Sequence, residues 1–242
     1  MTVAEPAGAG RAPQRQRRGG VLRETAILVV GALVIAVLVR TFLIQAFYIP
    51  SSSMENTLRI DDRVLASKLT TNLGGVSRGE VVVFRDPGDW LSVAPVQTDS
   101  WRQWIREGLT FVGLLPSDTG DDLVKRVIGV GGDRVQCCDA QGRVTVNGQP
   151  LDEGSYLYPG DAPSNEPFDV EVPKGSLWLM GDHRSVSQDS RFHERERAGN
   201  GMVPEEQVIG RAFVVVWPFA HWATLPIPET YGPRLDPAAP TP

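Results

Sequence analysis

The sequence predicts a mainly β protein behind one N-terminal transmembrane helix. Short, largely apolar runs rich in Val, Leu and Phe recur along the chain, divided by turn signals. The 242 residues include 25 Gly and 19 Pro, which argues for many turns and against an all-helical fold. A basic head, five Arg and one Glu within residues 1–23, precedes the charge-free stretch Ala26–Val39. A chain of this length makes one substantial domain, or one plus a small inserted one.

Residues 1–20 are rich in Ala, Gly, Pro and Arg and are expected to form a disordered basic tail. The run Ala26–Val39 would rise about 21 Å as a helix, short of a hydrocarbon core of about 30 Å. The pattern resumes beyond Arg40 with Phe42, Leu43, Ile44, Ala46 and Phe47, so the anchor is expected over 21–45, with Arg40 snorkelling to the far interface. A cleaved secretory signal shares the basic start and the short run. No clear small-x-small site closes the run, however, and Phe42–Ile49 stays apolar, which favours a retained anchor. The Arg-rich head places the N-terminus in the cytoplasm and the chain after about Arg40 outside. The net charge of −5 divides into about +4 for residues 1–23 and about −9 for the rest. No later stretch carries a comparable basic patch, so no nucleic-acid partner is expected.

Strand-like runs follow at Arg63–Ala66, Glu80–Phe84 and Leu123–Val130. Arg143–Val146 meets Asn147-Gly148, a strong type I′ hairpin signal, and Ser176–Met180 and Ile209–Trp217 are later strands. The stretch 86–122 interrupts this β pattern with one helical signal. Trp101, Trp104, Ile105, Leu109, Val112 and Leu115 share a helix face, Ser100 and Gln103 form a capping box, and Pro116 marks the stop. That helix either packs on the core or lies on the bilayer with its tryptophans at headgroup depth. The tail 226–242 is Pro-rich and reads as loose. Cys137 and Cys138 are adjacent and cannot bridge distant segments; a vicinal disulfide and two buried thiols both remain open. With three His and no further Cys, no metal site or cofactor is expected.

The segment Ile49-Pro50-Ser51-Ser52-Ser53-Met54 puts small hydroxyl residues in a Pro-led turn between apolar flanks, a good place to expose a nucleophile and backbone N–H groups. A serine needs a base. No G-x-S-x-G elbow and no HExxH site occurs, and Asp182 and His183, adjacent in sequence, do not readily make a base–orienter relay. Lysine is the other choice, because burial lowers its pKa toward working pH. Lys125 lies in Leu123-Val124-Lys125-Arg126-Val127-Ile128. It shares a strand face with Leu123 and Val127, while Arg126 points to the other face, where its charge is expected to reach solvent.

Taken in order, the anchor, Pro-Ser-x-Ser-Met, the Lys-Arg strand with its Gly-Asp turn, and Gly181-Asp182-His183-Arg184-Ser185-Val186-Ser187-Gln188-Asp189-Ser190-Arg191 resemble the bacterial type I signal peptidases. These are membrane-anchored Ser/Lys endopeptidases that remove signal peptides. The likeness covers nearly the whole chain outside the termini and 86–122, and the last motif is its most specific part. The resemblance implies an antiparallel-sheet catalytic β domain over about 41–134 and 176–225, with a small inserted β subdomain over 135–175. It implies Ser53 as nucleophile and Lys125 as general base. Ser51 would be a hydroxyl donor to the oxyanion hole beside the Ser53 N–H, Ser187 would orient the lysine amine, and Asp189 and Arg191 would be a structural brace. His183 and Val186 depart from the pattern, standing where many members carry Asn.

The activity so implied is acyl transfer at the membrane surface. The partners are exported preproteins with small residues at the first and third positions before the cut, together with membrane lipid. Shallow pockets lined by Ile49, Val64 or Val82 are expected to take those residues. A related narrow-substrate Ser/Lys processing protease and a non-catalytic membrane-anchored β binding domain are the alternatives.

Overall fold

The computed structural model describes residues 18–69, 74–88, 90–91 and 122–236. The tryptophan-bearing helix expected within 86–122, and most of the expected N-terminal tail, lie outside them. Helix α1 (Arg18–Phe42) opens the described chain, so Arg18–Gly20, assigned above to the tail, are helical. It stops two residues before β1 (Ile44–Tyr48) and does not continue to Phe47 as an extended anchor would. The β-branched and aromatic side chains of Ile44, Phe47 and Tyr48 suit a pleated strand, and Phe47 is buried against β2 (Arg63–Ser67). Among the described residues no helix is long and apolar enough to cross a membrane.

β1 and β2 join β3 (Val81–Arg85) and β4 (Asp122–Val130) in the main antiparallel sheet. The chain then leaves to build a second, four-stranded sheet from β5 (Arg134–Cys137), β6 (Val144–Val146), β7 (Gln149–Pro150) and β8 (Phe168–Glu171), ordered β7-β6-β5-β8. Asn147 and Gly148 take φ of 53° and 76°, which a two-residue type I′ turn requires, and so join β6 to β7. A disulfide links Cys137 to Cys138 at the end of β5. The chain returns through β9 (Ser176–Met180), helix α2 (Ser190–Glu196), β10 (Met202–Pro204), β11 (Val208–Trp217) and β12 (Ala223–Thr224). The main sheet reads β1-β2-β11-β3-β4-β9-β10, with β12 on β11.

The strands at the middle of this sheet are buried on both faces, which is why Val81–Phe84 reads as a continuous apolar run. Val81 and Val83 join Phe47, Met54, Leu58, Val64 and Val215 in one core. Val82 and Phe84 face the opposite way, onto Val127, Leu177, Leu179 and Trp90. A third core, around Trp178, Val135, Val146 and Leu151, welds the small sheet to the main one. Leu235 completes it, fully buried. The Pro-rich tail is therefore not loose over its described part: it makes two 3₁₀ turns, Glu229–Tyr231 and Pro233–Leu235, and Asp236 pairs with Arg78 at 2.8 Å.

The two-sided burial of β4 also overturns the expectation for Arg126. It does point away from Lys125, but that face is covered by Tyr156, Thr57 and Asp182 rather than water. Arg126 is 2% exposed and grips Asp182 at 2.6 and 2.8 Å, with Nη1 on the Gly79 carbonyl at 2.8 Å and its guanidinium 4.2 Å above the Tyr156 ring. Burial opposes its charge, and Asp182 more than restores it, raising the pKa of Arg126. Two stability effects are expected. Leu235→Ala should cost about 2–4 kcal/mol in denaturant unfolding through the cavity it leaves. Arg126→Met should cost about 3–5 kcal/mol by stranding Asp182, and adding Asp182→Leu should restore much of it, since a buried pair is worth little against an apolar replacement.

Candidate active site

The loop between β1 and β2 carries the serines. Its base is closed by Ile49 and Asp62, the Ile49 N–H donating to the Asp62 carbonyl at 2.9 Å and the Asp61 N–H to that of Ile49 at 3.0 Å. Met54 and Leu58, 1% and 0% exposed, anchor its far side in the core. Between these fixed points the N–H groups of Thr57 and Leu58 both return to the Met54 carbonyl, and that of Glu55 to the Ser52 carbonyl. The turn leaves Ser51 at the surface and Ser53 half-buried.

Lys125 comes from β4, opposite Val82 of β3, on the face shared with Leu123 and Val127. It is 3% exposed, and its Nζ lies 2.6 Å from Ser53 Oγ. Burial pushes the amine down to about 8; Asp189 and Asp182 pull it back up in part, and Arg191 lowers it further. A lysine so placed is neutral often enough to take a hydroxyl proton near pH 8. Ser51 Oγ lies 3.3 Å from Ser53 Oγ, so a second hydroxyl stands beside the first.

The loop after β9 supplies the remaining motif residues. Asp189 caps α2, accepts the Gly181 N–H at 2.9 Å, and holds Arg191 through bonds of 2.9 and 2.8 Å. Burial would raise the Asp189 carboxyl; Arg191, the Gly181 N–H and the charge of Lys125 together keep it below the ordinary range. Ser187 is brought to Gly181 and the serine turn but is not bonded to the amine as expected. Its Oγ is buried without a hydrogen-bond partner among the described residues, packed against Gly181. A Cβ at Gly181 would fall 2.5 Å from the Ser53 carbonyl and would also collide with Ser187 Oγ, so only glycine lets the two loops approach.

Sequence reasoning placed Ser53 and Lys125 together and missed three contributors. Asp182 enters through Arg126 and through Thr57, whose Oγ1 donates to Asp182 Oδ2 at 2.5 Å, tying the serine loop to β4 and to the loop after β9. Arg184, fully enclosed, pairs with Glu153 and donates Nε to the Gly181 carbonyl at 2.8 Å. His183 touches the serine turn itself, rather than merely adjoining the Asp189–Arg191 pair: its N–H donates to the Ser53 carbonyl at 3.1 Å. The sequence signal for all three was their place in the Gly181–Arg191 motif. The cleft beside Ser53 and Lys125, about 140 Å³, is lined by Ile49, Val83, Leu91, Leu123 and Val124. Val64 and Val82, expected there, are instead fully buried in the cores on the two faces of the sheet.

The signal peptidase, peptidase S26 family matches residues 22–217. Signal peptidase I of Mycobacterium tuberculosis (strain ATCC 25618 / H37Rv) is 38% identical over 231 residues, spanning 87% of this chain and 78% of its own. The probable signal peptidase I of Mycobacterium leprae (strain TN) is 37% identical over 248 residues, spanning 91% and 84%. The crystal structure of a signal peptidase I from Enterococcus faecalis V583 aligns over 56% of this chain and 95% of its own at 19% identity, with a TM-score of 0.34. A match across residues 22–217, with relatives sharing more than a third of their residues over most of both chains, shows that this chain belongs to the signal peptidase family, peptidase S26.

Proposed function

We propose that this protein is a membrane-bound serine endopeptidase that removes N-terminal signal peptides from exported preproteins. The observation that carries the reading is the buried Lys125 amine 2.6 Å from Ser53 Oγ. Ser53 Oγ attacks the scissile carbonyl while neutral Lys125 takes its proton. The Ser51 hydroxyl and the Ser53 N–H stabilise the oxyanion. Lys125 returns the proton to the leaving amine, and water hydrolyses the acyl-enzyme. The buried Ser187 hydroxyl, without a partner among the described residues, is available to orient the amine, and Asp189 with Arg191 braces the loop that carries it.

Two features support an extended substrate with small residues before the cut. The cleft of about 140 Å³ has room for small side chains. β9 pairs with β4 only from Arg126 onward, so Val124 and Lys125 have β3 on one side and no paired strand on the other among the described residues. An incoming peptide can add there as a strand.

The membrane reading rests on α1 and on an aromatic patch. Ile27, Leu28, Val30 and Ile35 of α1 are more than half exposed, as residues meant for lipid are. Local thinning of the bilayer accommodates the short run. The Arg-rich head keeps the N-terminus cytoplasmic and the β domain outside. Trp217 at the end of β11 and Phe219 and Trp222 just beyond it are 46%, 70% and 62% exposed, with Arg63 over Trp217, which suits the headgroup layer.

The full chain in detergent should cleave a purified preprotein bearing an Ala-x-Ala site. Ser53→Ala and Lys125→Ala should each lose at least about a hundredfold in kcat while remaining folded; undiminished cleavage by either variant sinks the assignment. Because the neutral amine is the active form, kcat/KM should rise about tenfold per pH unit from acid and level off above about pH 8. A rise that continues to pH 10 would mean that no lysine of lowered pKa is the base. In proteoliposomes, brominated lipid should quench tryptophan fluorescence, and changing Trp217 and Trp222 to Phe should remove much of that quenching. Full quenching in the double variant would put the lipid contact elsewhere.

A further inference from the structure

His183 has no part in the chemistry just described, yet it holds the serine turn at two successive carbonyls. Its main-chain N–H donates to the Ser53 carbonyl at 3.1 Å, and its ring Nδ1 lies 3.2 Å from the Ser52 carbonyl oxygen and 3.3 Å from Glu55 Oε2. Both neighbours of Nδ1 are acceptors, so that nitrogen carries a proton and donates it. The ring is oriented independently. It stacks on Tyr158 with centroids 3.7 Å apart and planes 14° apart, and the Tyr158 N–H is itself fixed to the Asp182 carbonyl at 3.0 Å. On the other side the His183 carbonyl accepts the Ser187 N–H at 3.1 Å. One residue thus links Ser52, Ser53 and Ser187.

The contact between Lys125 and Ser53 is short, and a shift of about 1 Å in the turn would break it. Main-chain bonds persist through any substitution at 183 but proline, so the Nδ1–H bond is what the choice of side chain adds. We propose that His183 is a positioning residue: its Nδ1–H holds the Ser52 carbonyl and thereby keeps the Ser53 hydroxyl in line with Lys125. The proposal rests on the Ser53–Lys125 reading above. It gives His183 no role as base, since Ser53 Oγ is already engaged by Lys125.

Two substitutions separate the donor from the bulk. His183→Leu keeps apolar volume against Tyr158 and removes the donor. His183→Asn loses the stacked ring but keeps an N–H on the atom next to Cγ, where Nδ1 sits. Steady-state cleavage of the Ala-x-Ala preprotein by the full chain in detergent is the assay. His183→Leu should lower kcat about five- to tenfold, the worth of one hydrogen bond, with KM within about twofold. His183→Asn should recover most of that loss. A role in packing alone predicts the reverse order, with the asparagine variant at least as impaired as the leucine one. Wild-type kcat in His183→Leu, an effect carried by KM, or an asparagine variant no better than leucine each overturns the proposal. If the leucine variant does not fold, the asparagine variant decides: kcat within about twofold of wild type supports the role, and a larger loss overturns it. Ser53→Ala and Lys125→Ala run alongside. Their inactivity beside an unimpaired His183→Leu would defeat the positioning role alone, whereas their undiminished activity would bring down the underlying reading and this proposal with it.

Discussion

The structure turns on two adjacent cations that one strand carries into two sealed faces. β4 sends Lys125 to one side and Arg126 to the other, at 3% and 2% exposure. Burying a charge costs several kcal/mol unless a partner offsets it, and the offsets here are unequal. Arg126 receives a whole carboxylate from Asp182 and stays charged. The hydrogen bond of Lys125 goes to the neutral hydroxyl of Ser53. Asp189, on its side of the sheet, is already occupied by Arg191 and the Gly181 N–H, so it reaches the amine only as a field. The result is one buried cation fixed for structure and one buried amine held near pKa 8, ready to take or give a proton.

Much of the remaining fold maintains that inequality. Val82 lies across from Lys125 and Met54 fills the core beneath the serine loop, so water is excluded without a compensating charge. Gly181 allows the loop after β9 to close on the Ser53 carbonyl. The small sheet has a use here beyond being a long excursion between β4 and β9. Glu153, just after β7, neutralises Arg184, and Arg184 fixes the Gly181 carbonyl. The tail contributes from the far end of the chain, with Tyr231 bonded to Tyr156 at 2.7 Å beneath the Arg126 guanidinium.

Local signals in the sequence were dependable where chemistry and backbone geometry act within a few residues. Asn147-Gly148 turned the chain as its composition demands. The alternation in β4 placed Lys125 with Leu123 and Val127 and sent Arg126 the other way. What alternation does not reveal is the cover on the second face, which comes from Asp182 and Tyr156, remote in sequence; hence the mistaken expectation that Arg126 reaches solvent. The end of α1 was misjudged for a related reason. Ile44–Phe47 is apolar enough for either a helix or a strand, and pairing with β2 decides between them. Pro-rich composition likewise hid the tail, because a single Leu235 seated between two sheets outweighs the loose character of its neighbours. His183 was visible as a departure from the motif, but its contact with the serine turn depends on how two loops meet across the sheet edge.

The same charge arrangement favours a lysine over a histidine as the proposed base at this site. A histidine base needs a carboxylate on its second nitrogen to fix its tautomer and to stabilise the imidazolium that forms. The carboxylates at hand are spent: Asp182 neutralises Arg126, and Asp189 holds Arg191 and caps α2. Moving either to a histidine would leave a buried arginine unpaired, which costs more than the pair itself is worth. A lysine needs no carboxylate orienter. Its four-carbon stem carries the amine from the middle of a strand to a half-buried hydroxyl, and desolvation is the largest influence on it. The bracing ion pairs and the proposed lysine base are therefore parts of one solution, in which the two carboxylates that act on the amine, Asp182 and Asp189, are each committed to an arginine.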